Sequence, residues 1–440
     1  MNAHPPRHQS FAATLAASLT LTLLLPAQTL PEGYATDTTA LPTGANSILV
    51  IPEGTAWFDG TDLVFTRHGQ APQTLLQFAS SRFGAFTRLV RDGNALLFGE
   101  SSFGELWLAP LDGSPPQLVT TLNLPYDAVS LGPQRVMVSA KTGGFSASHN
   151  DLIAVDLQTG TTTNIASIPG ASGSVLLTDQ GDLLYATAPA TFPPPPGSVE
   201  ILQFSAAQWS RPLTGGSILS STEAQPLFQG IDAAGFMALD ADGDILFVDW
   251  LNNKIAEIND LHSGGWLTTL VDYSGSGLSP AGVTLLQTNS RQFEPFAQPS
   301  GATLFVHETD FFSTDQLRSL TTKPAELIAP SGTVPSGPFV LGIQGASAGG
   351  LAAIAVNTTN AGVPALVELP GIEQTFWWDA AMFHPLNSYW STLDGQGQAN
   401  VTLNNPGVTP ALTLYVQAAF LSANTDVMGA TTPGSVHLGL

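Results

Sequence analysis

Four hundred and forty residues are too many for one ordinary hydrophobic core, so the chain needs either a ring-shaped core or more than one domain. With 34 acidic residues against 12 lysines and arginines, the formal net charge of -22 excludes the basic clusters that hold nucleic acid or anionic lipid. The absence of cysteine excludes disulfides, thiolate nucleophiles and Cys-ligated metal centres, while 43% hydrophobic residues exclude a disordered acidic chain.

The chain opens with a polar head carrying Arg7, an apolar run from Phe11 to Leu25, and Leu25-Pro26-Ala27. This is the shape of a secretory signal peptide, residues 1–27, cleaved near Ala27. The rival reading is a membrane anchor, but the run has about 15 residues where roughly 20 are needed to span a bilayer. The mature chain is therefore expected to be secreted or held at the cell surface, with no membrane span. Residues 28–44 read as a lead-in.

From residue 45 to 329 the sequence repeats itself. Units are read at 47–78, 85–122, 127–168, 172–213, 236–272 and 282–328, each with up to four short apolar runs between Gly, Asp or Pro turns. The most regular phrase joins a glycine to an apolar strand, as in DGNALLFGE, QGDLLYAT, DGDILFVD and SGATLFVH. A spacing of 40 to 60 residues is that of propeller blades. A four-stranded sheet cannot bury its apolar faces alone, whereas radial stacking buries them between neighbours and leaves short edges. Six blades fit best; five or seven stay open, as does a blade shared between the two ends.

DADGDILFVDWLNNKIAEI (240–258) and DGNALLFGESSFGELWLAPLDG (92–113) resemble the six-bladed propellers of the NHL-repeat and related secreted families, including the streptogramin-lyase and gluconolactonase types. That resemblance implies a fold but hardly a chemistry. Within the fourth unit, APATFPPPPGS (188–198) holds four consecutive prolines, Pro193–Pro196, and reads as a stiff extended excursion or as a ligand for another domain.

After a linker at 330–338 the period changes. About seven alternating strands over 339–440 indicate a β-sandwich. DGQGQANVTLN (394–404), LTLYVQAAFLS (412–422) and GATTPGSVHLGL (429–440), with Tyr415, Gln417 and Gly434, resemble the C-terminal sandwich of planctomycete-type secreted proteins.

Candidate chemistry is sparse. Asp240, Asp242 and Asp244 set alternate carboxylates beside a glycine, which suits a hard cation such as calcium or magnesium; the twelfth position from Asp240 is Leu251 rather than the Glu of an EF-hand loop. The alternative is a turn whose aspartates cap backbone amides. His307 and Glu308 are the candidate catalytic base and acid, for a polysaccharide or lactone, although neighbours on a strand point to opposite faces. The resemblance implies a His with magnesium in the lyase type and a Glu/Asn/Asp metal set in the lactonase type; neither set matches residue by residue. Glu100, Lys141, Asp249 and His307 each fall at or just after the second strand of a unit, which would gather them at a channel rim or leave them as turn residues. Trp377, Trp378 and Trp390, in a cluster with Phe376, Phe383 and Tyr389, would stack on sugar rings if exposed and plug a core if buried.

The sequence thus predicts an all-β protein, a propeller followed by a β-sandwich. The expected function is a secreted, non-catalytic binding or structural role. Its partner would be an extracellular polysaccharide or a surface protein, not nucleic acid. The alternative is a secreted metal-dependent lyase or hydrolase with its site at the propeller channel.

Overall fold

A computed structural model describes residues 33–90, 93–141, 148–240, 243–259, 265–287, 302–310, 314–358, 365–369, 372–376, 388–407, 411–423, 428–431 and 434–439. Six antiparallel sheets follow one another along the chain. Blade 1 is Asn46–Ile51, Gly54–Phe58, Asp62–Arg67 and Gln73–Gln77. Blade 2 is Phe86–Val90, Ala95–Gly99, Glu105–Pro110 and Gln117–Thr121. Blade 3 is Pro125–Ser130, Arg135–Ala140, His149–Asp156 and Thr162–Pro169. Blade 4 is Val175–Leu177, Leu183–Ala186, Val199–Phe204 and Gln225–Ile231. Blade 5 is Gly235–Leu239, Ile245–Asp249, Lys254–Asn259 and Trp266–Asp272. Blade 6 is Ser279–Gln287, Ala302–Thr309, Asp315–Thr322 and, from the other end of the propeller, Tyr34–Ala40.

The repeated phrase is the hairpin that enters each second strand. Gly93, Gly181 and Gly243 turn it with φ of 87°, 84° and 99°, a region that side chains with a Cβ avoid. The strands that follow, ALLFG and ILFVD, are buried along their whole length because both faces meet a neighbouring blade. Five apolar clusters accordingly lie between blades 1 and 2, 2 and 3, 3 and 4, 4 and 5, and 5 and 6. The first strand of each blade touches the first strands of the next, and that of blade 6 touches that of blade 1. The ring is closed with six blades.

Three segments fall differently from expectation. Tyr34–Ala40, expected within a lead-in, pairs with Asp315–Thr322 from Tyr34↔Thr322 to Ala40↔Gln316 and completes blade 6. The fourth unit extends past residue 213, because its outer strand comes after a helical insertion. There the helix Ala206–Ser210, capped reciprocally by Ser205 and Gln208, leads to Leu219–Ser220, which pairs with the outer strand of blade 3 and covers that edge. Glu326–Ile328, read as the end of the propeller, and Thr333–Val334, read as linker, both pair with strands of the C-terminal domain.

That domain packs one sheet of Glu326–Ile328, Gly337–Gln344 and Ala399–Asn405 against a second. The second runs Thr333–Val334, Gly434–Leu438, Leu412–Leu421, Leu351–Asn357 and Ser388–Thr392, with Met428–Ala430 also on Leu412–Leu421. Ala365–Leu369 and Ile372–Phe376 form a separate hairpin. Inward-facing Leu341, Ile343, Ile354, Val416, Phe420 and Val436 fill the sandwich between the two sheets. Among the described residues, no helix is long and apolar enough to cross a membrane.

Candidate functional site

In a propeller the place to look for chemistry is the axis, which the first strands line. Four of these strands are bulged near their start, at Asn46/Leu49, Pro125/Asp127, Gly235/Ala238 and Pro280/Gly282. A bulge re-aims the extra residue. Ser47 and Phe236 stand there with φ of 49° each. Tyr126 of blade 3 and Phe236 of blade 5 stack with ring centroids 6.2 Å apart and planes at 28°, although blade 4 separates their strands. Two re-aimed rings therefore meet on the axial side.

Polar groups of the same strands bind one blade to the next. Arg88 of blade 2 donates from Nε to the Ala128 carbonyl at 3.0 Å, from Nη1 to its neighbour Thr87 at 3.0 Å, and from Nη2 to the buried Asp127 carboxylate of blade 3. Asp127 also accepts from the backbone N–H of Ala128 at 2.8 Å and of Val175 in blade 4 at 3.1 Å. Ser174 accepts from the Phe236 N–H at 2.7 Å, joining blades 4 and 5, and the Ser47 and Thr87 hydroxyls meet at 2.8 Å, joining blades 1 and 2. Burial pushes the Asp127 carboxyl up, opposed by the Arg88 guanidinium and the two backbone N–H groups. Burial, reinforced by the Asp127 charge, pushes the Tyr126 hydroxyl up to about 12.

The expected catalytic pair stands one strand away from the axis, in the second strand of blade 6. Glu308 is fully buried and accepts from Tyr273 Oη at 2.7 Å, Gln316 Nε2 at 2.5 Å, and Arg318 Nε and Nη2 at 2.5 and 3.2 Å. His307 Nε2 lies 3.2 Å from Asp315, whose other oxygen accepts from the Gly44 N–H at 2.7 Å. Burial pushes the imidazole down, against the pull of Asp315 and Glu308. Asp315 thus pairs with His307, while Arg318 pairs with Glu308.

Two of the expected rim residues, Glu100 and Asp249, brace turns. Glu100 accepts from the N–H groups of Phe103 and Glu105 and lies 3.8 Å from Arg82. Asp249 accepts from Asn252 N at 3.1 Å and Nδ2 at 2.7 Å. Lys141 is buried, and its backbone N–H donates to Asn123. An acid at the end of a second strand caps the orphan amides of the next turn.

Of the expected metal ligands, Asp240 and Asp244 come together and Asp242 lies outside the described residues. Asp240 accepts from the N–H groups of Gly243 at 3.1 Å and Asp244 at 2.9 Å, so the turn-capping reading applies to it. Glu257 joins them: carboxylate oxygens of Asp240, Asp244 and Glu257 lie within 4.8 Å of one another, all buried. Glu257 was missed, yet alternation would have found it. It pairs opposite Leu246, two residues from Asp244 and hence on the same face. Trp377 and Trp378 lie outside the described residues. Trp390 is 57% exposed on an edge strand, its indole N–H donating to Ser388 at 3.2 Å. Arg88, Tyr126, Asp127 and Phe236 were also missed, since FTRLV, PYDAVS and GFMAL read as ordinary strands and the last two give no sign of their bulges.

No family model and no curated protein matches the sequence. Among solved structures, the chain is similar to a gluconolactonase of Xanthomonas campestris, at 14% identity over 68% of this chain and 91% of that one, with a TM-score of 0.45. It is also similar to a luciferin-regenerating enzyme, at 11% identity over 66% and 97%, TM-score 0.45. A chain of a nidogen/laminin complex is matched at 11% identity over 56% and 95%, TM-score 0.40. Likenesses this distant identify neither family nor activity. The fold rests on the six sheets and their closed ring.

Proposed function

We propose that this is a secreted or cell-surface binding or structural protein that uses its propeller as a scaffold, with a polysaccharide or a surface protein as partner. One observation carries the reading: polar groups at the inner strands join blade to blade, through Arg88 to Asp127, Asp127 to Val175, Ser174 to Phe236 and Ser47 to Thr87. A metal-dependent lyase or hydrolase would need carboxylates or imidazoles aimed at a substrate from the axis. Here Asp127 is held by Arg88, and Glu308 by Arg318 within its own blade.

The test is to incubate the mature chain with neutral and acidic polysaccharides and sugar lactones, with calcium or magnesium present, and follow new reducing ends or lactone opening. No turnover is expected. The Asp127→Ala variant is expected to lose about 3–5 kcal/mol of stability in denaturant unfolding, because it strands the Arg88 charge among the inner strands. Turnover that disappears in Asp127→Asn while the fold is kept would overturn the scaffold reading.

A further inference from the structure

Resting on that binding reading, we propose that Phe192 and Trp250 form a stacking platform for a neutral polysaccharide, on the propeller face where the second strands end. The proline-rich insertion of blade 4 builds it. Pro193–Pro196 stiffen the loop, Ser198 Oγ donates back to the Pro195 carbonyl at 2.5 Å, and the Gly197 N–H donates to Asp232, at the entry to blade 5, at 2.6 Å. The loop is thereby leaned across to the next blade. Phe192 lies over Trp250 with the two ring planes within 6° of parallel and centroids 5.7 Å apart.

A contact whose purpose was to anchor the loop would hide its rings, since burial is what stabilises an apolar side chain. Instead Phe192 remains 86% exposed and Trp250 40% exposed. An acceptor stands beside them. Asn252, two residues after Trp250, donates from Nδ2 to the half-buried Asp232 at 2.8 Å and to the buried Asp249 at 2.7 Å, which fixes the Asp232 carboxylate at the edge of the platform. The packing also continues inward. A Cβ placed on Gly235 would lie 3.4 Å from Trp250 Cδ1 and 3.5 Å from Tyr126 Oη, so the row Phe192, Trp250, Tyr126, Phe236 runs from the insertion to the axis.

The chemistry of the occupant follows from these features. A hexopyranose has an apolar C–H face that stacks on a flat ring and a rim of hydroxyls that donate to carboxylates. An apolar protein surface would bury the half-exposed Asp232 without supplying a donor, at a desolvation cost. Acidic polymers are disfavoured by that carboxylate and by the net charge of -22. A neutral glycan satisfies all three conditions, and a rigid loop lowers the ordering cost of binding it.

Isothermal titration calorimetry of the mature chain with cellohexaose and with mannohexaose, at low and high salt, tests the proposal. At least one is expected to bind, with an affinity little changed by salt because no ion pair forms. Phe192→Ala and Trp250→Ala should each weaken binding by about tenfold, and Trp250→Phe by about threefold or less. Phe192 is so exposed that its removal should leave the melting temperature unchanged, which separates lost binding from lost fold. Failure of both oligosaccharides to bind, or equal binding by both alanine variants, overturns the platform. It also falls if no sugar binds and light scattering shows self-association that Phe192→Ala abolishes. Shortened oligosaccharides in the mixture would defeat the non-catalytic reading alone, while dependence of binding on Phe192 would still uphold the platform.

Discussion

At the scale of the residue, some of the buried charge joins one element to another. Glu308 accepts from Tyr273 at the end of blade 5 and from Gln316 and Arg318 in the neighbouring strand of blade 6, and Asp315 ties His307 to the backbone of Gly44. His307 gives this arrangement a pH dependence with a definite sign. Its folded pKa lies below the ordinary value of 6.5, first because burial penalises the imidazolium. The unfolded chain therefore binds the proton more readily than the folded one. The contribution of His307 to stability is complete above pH 6.5 and is lost as pH falls from there through the folded pKa. Thermal melting of the parent should fall on acidification from neutral pH across this window, and His307→Gln, which keeps a donor toward Asp315, should flatten that part of the profile. An unchanged slope in the variant would assign the effect to other groups.

Elements show why some of the fold was legible and some was not. Second strands such as ALLFG and ILFVD announce themselves, because a strand buried on both faces is apolar throughout and its glycine turn is required by φ. The outermost strands carry no such signal. In YATDTTA only Tyr34 is buried, so Tyr34–Ala40 shows neither an apolar run nor an apolar face, and its partner lies at the far end of the propeller. The candidate site suffers from the same asymmetry. Bulges at Tyr126 and Phe236 depend on how neighbouring blades crowd, whereas Glu257 was recoverable from period-two alternation. The closing strand carries its own prediction. A chain starting at Leu41 leaves Asp315–Thr322 as an open edge and exposes the apolar contact that Tyr34 makes between blades 5 and 6. Its melting temperature should fall by about 5–10 °C, the size expected when a few kcal/mol are removed from a domain this large. It should also self-associate in size-exclusion chromatography, and a peptide spanning residues 34–40 added in excess should reverse part of both effects.

At the scale of the whole molecule, the chain divides its burial into a ring and a sandwich that share no apolar cluster among the described residues. The five inter-blade clusters draw on residues from Tyr34 to Leu320, and the sandwich cluster on residues from Ala325 to Leu438. Between them, Lys323 donates its backbone N–H to the Gly33 carbonyl at 2.7 Å, so the ring is tied off just before the sandwich begins. Inter-blade clusters link each blade to the next, and the Tyr34–Ala40 strand makes the two ends of the ring interdependent. The propeller is therefore expected to unfold as one cooperative unit and the sandwich as another. Scanning calorimetry of a chain starting at residue 28 should resolve two transitions. A chain ending at Lys323 should keep the propeller transition within about 2 °C and lose the other, since among the described residues no inter-blade cluster includes one from the sandwich. One transition in the full chain, or a propeller that melts well below its place in the parent, would mean that the sandwich stabilises the ring through contacts outside these clusters. The charge of -22 sets the condition for the measurement: like-charge repulsion acts on every blade at low ionic strength, so both transitions should rise together as salt is added before their separation is judged.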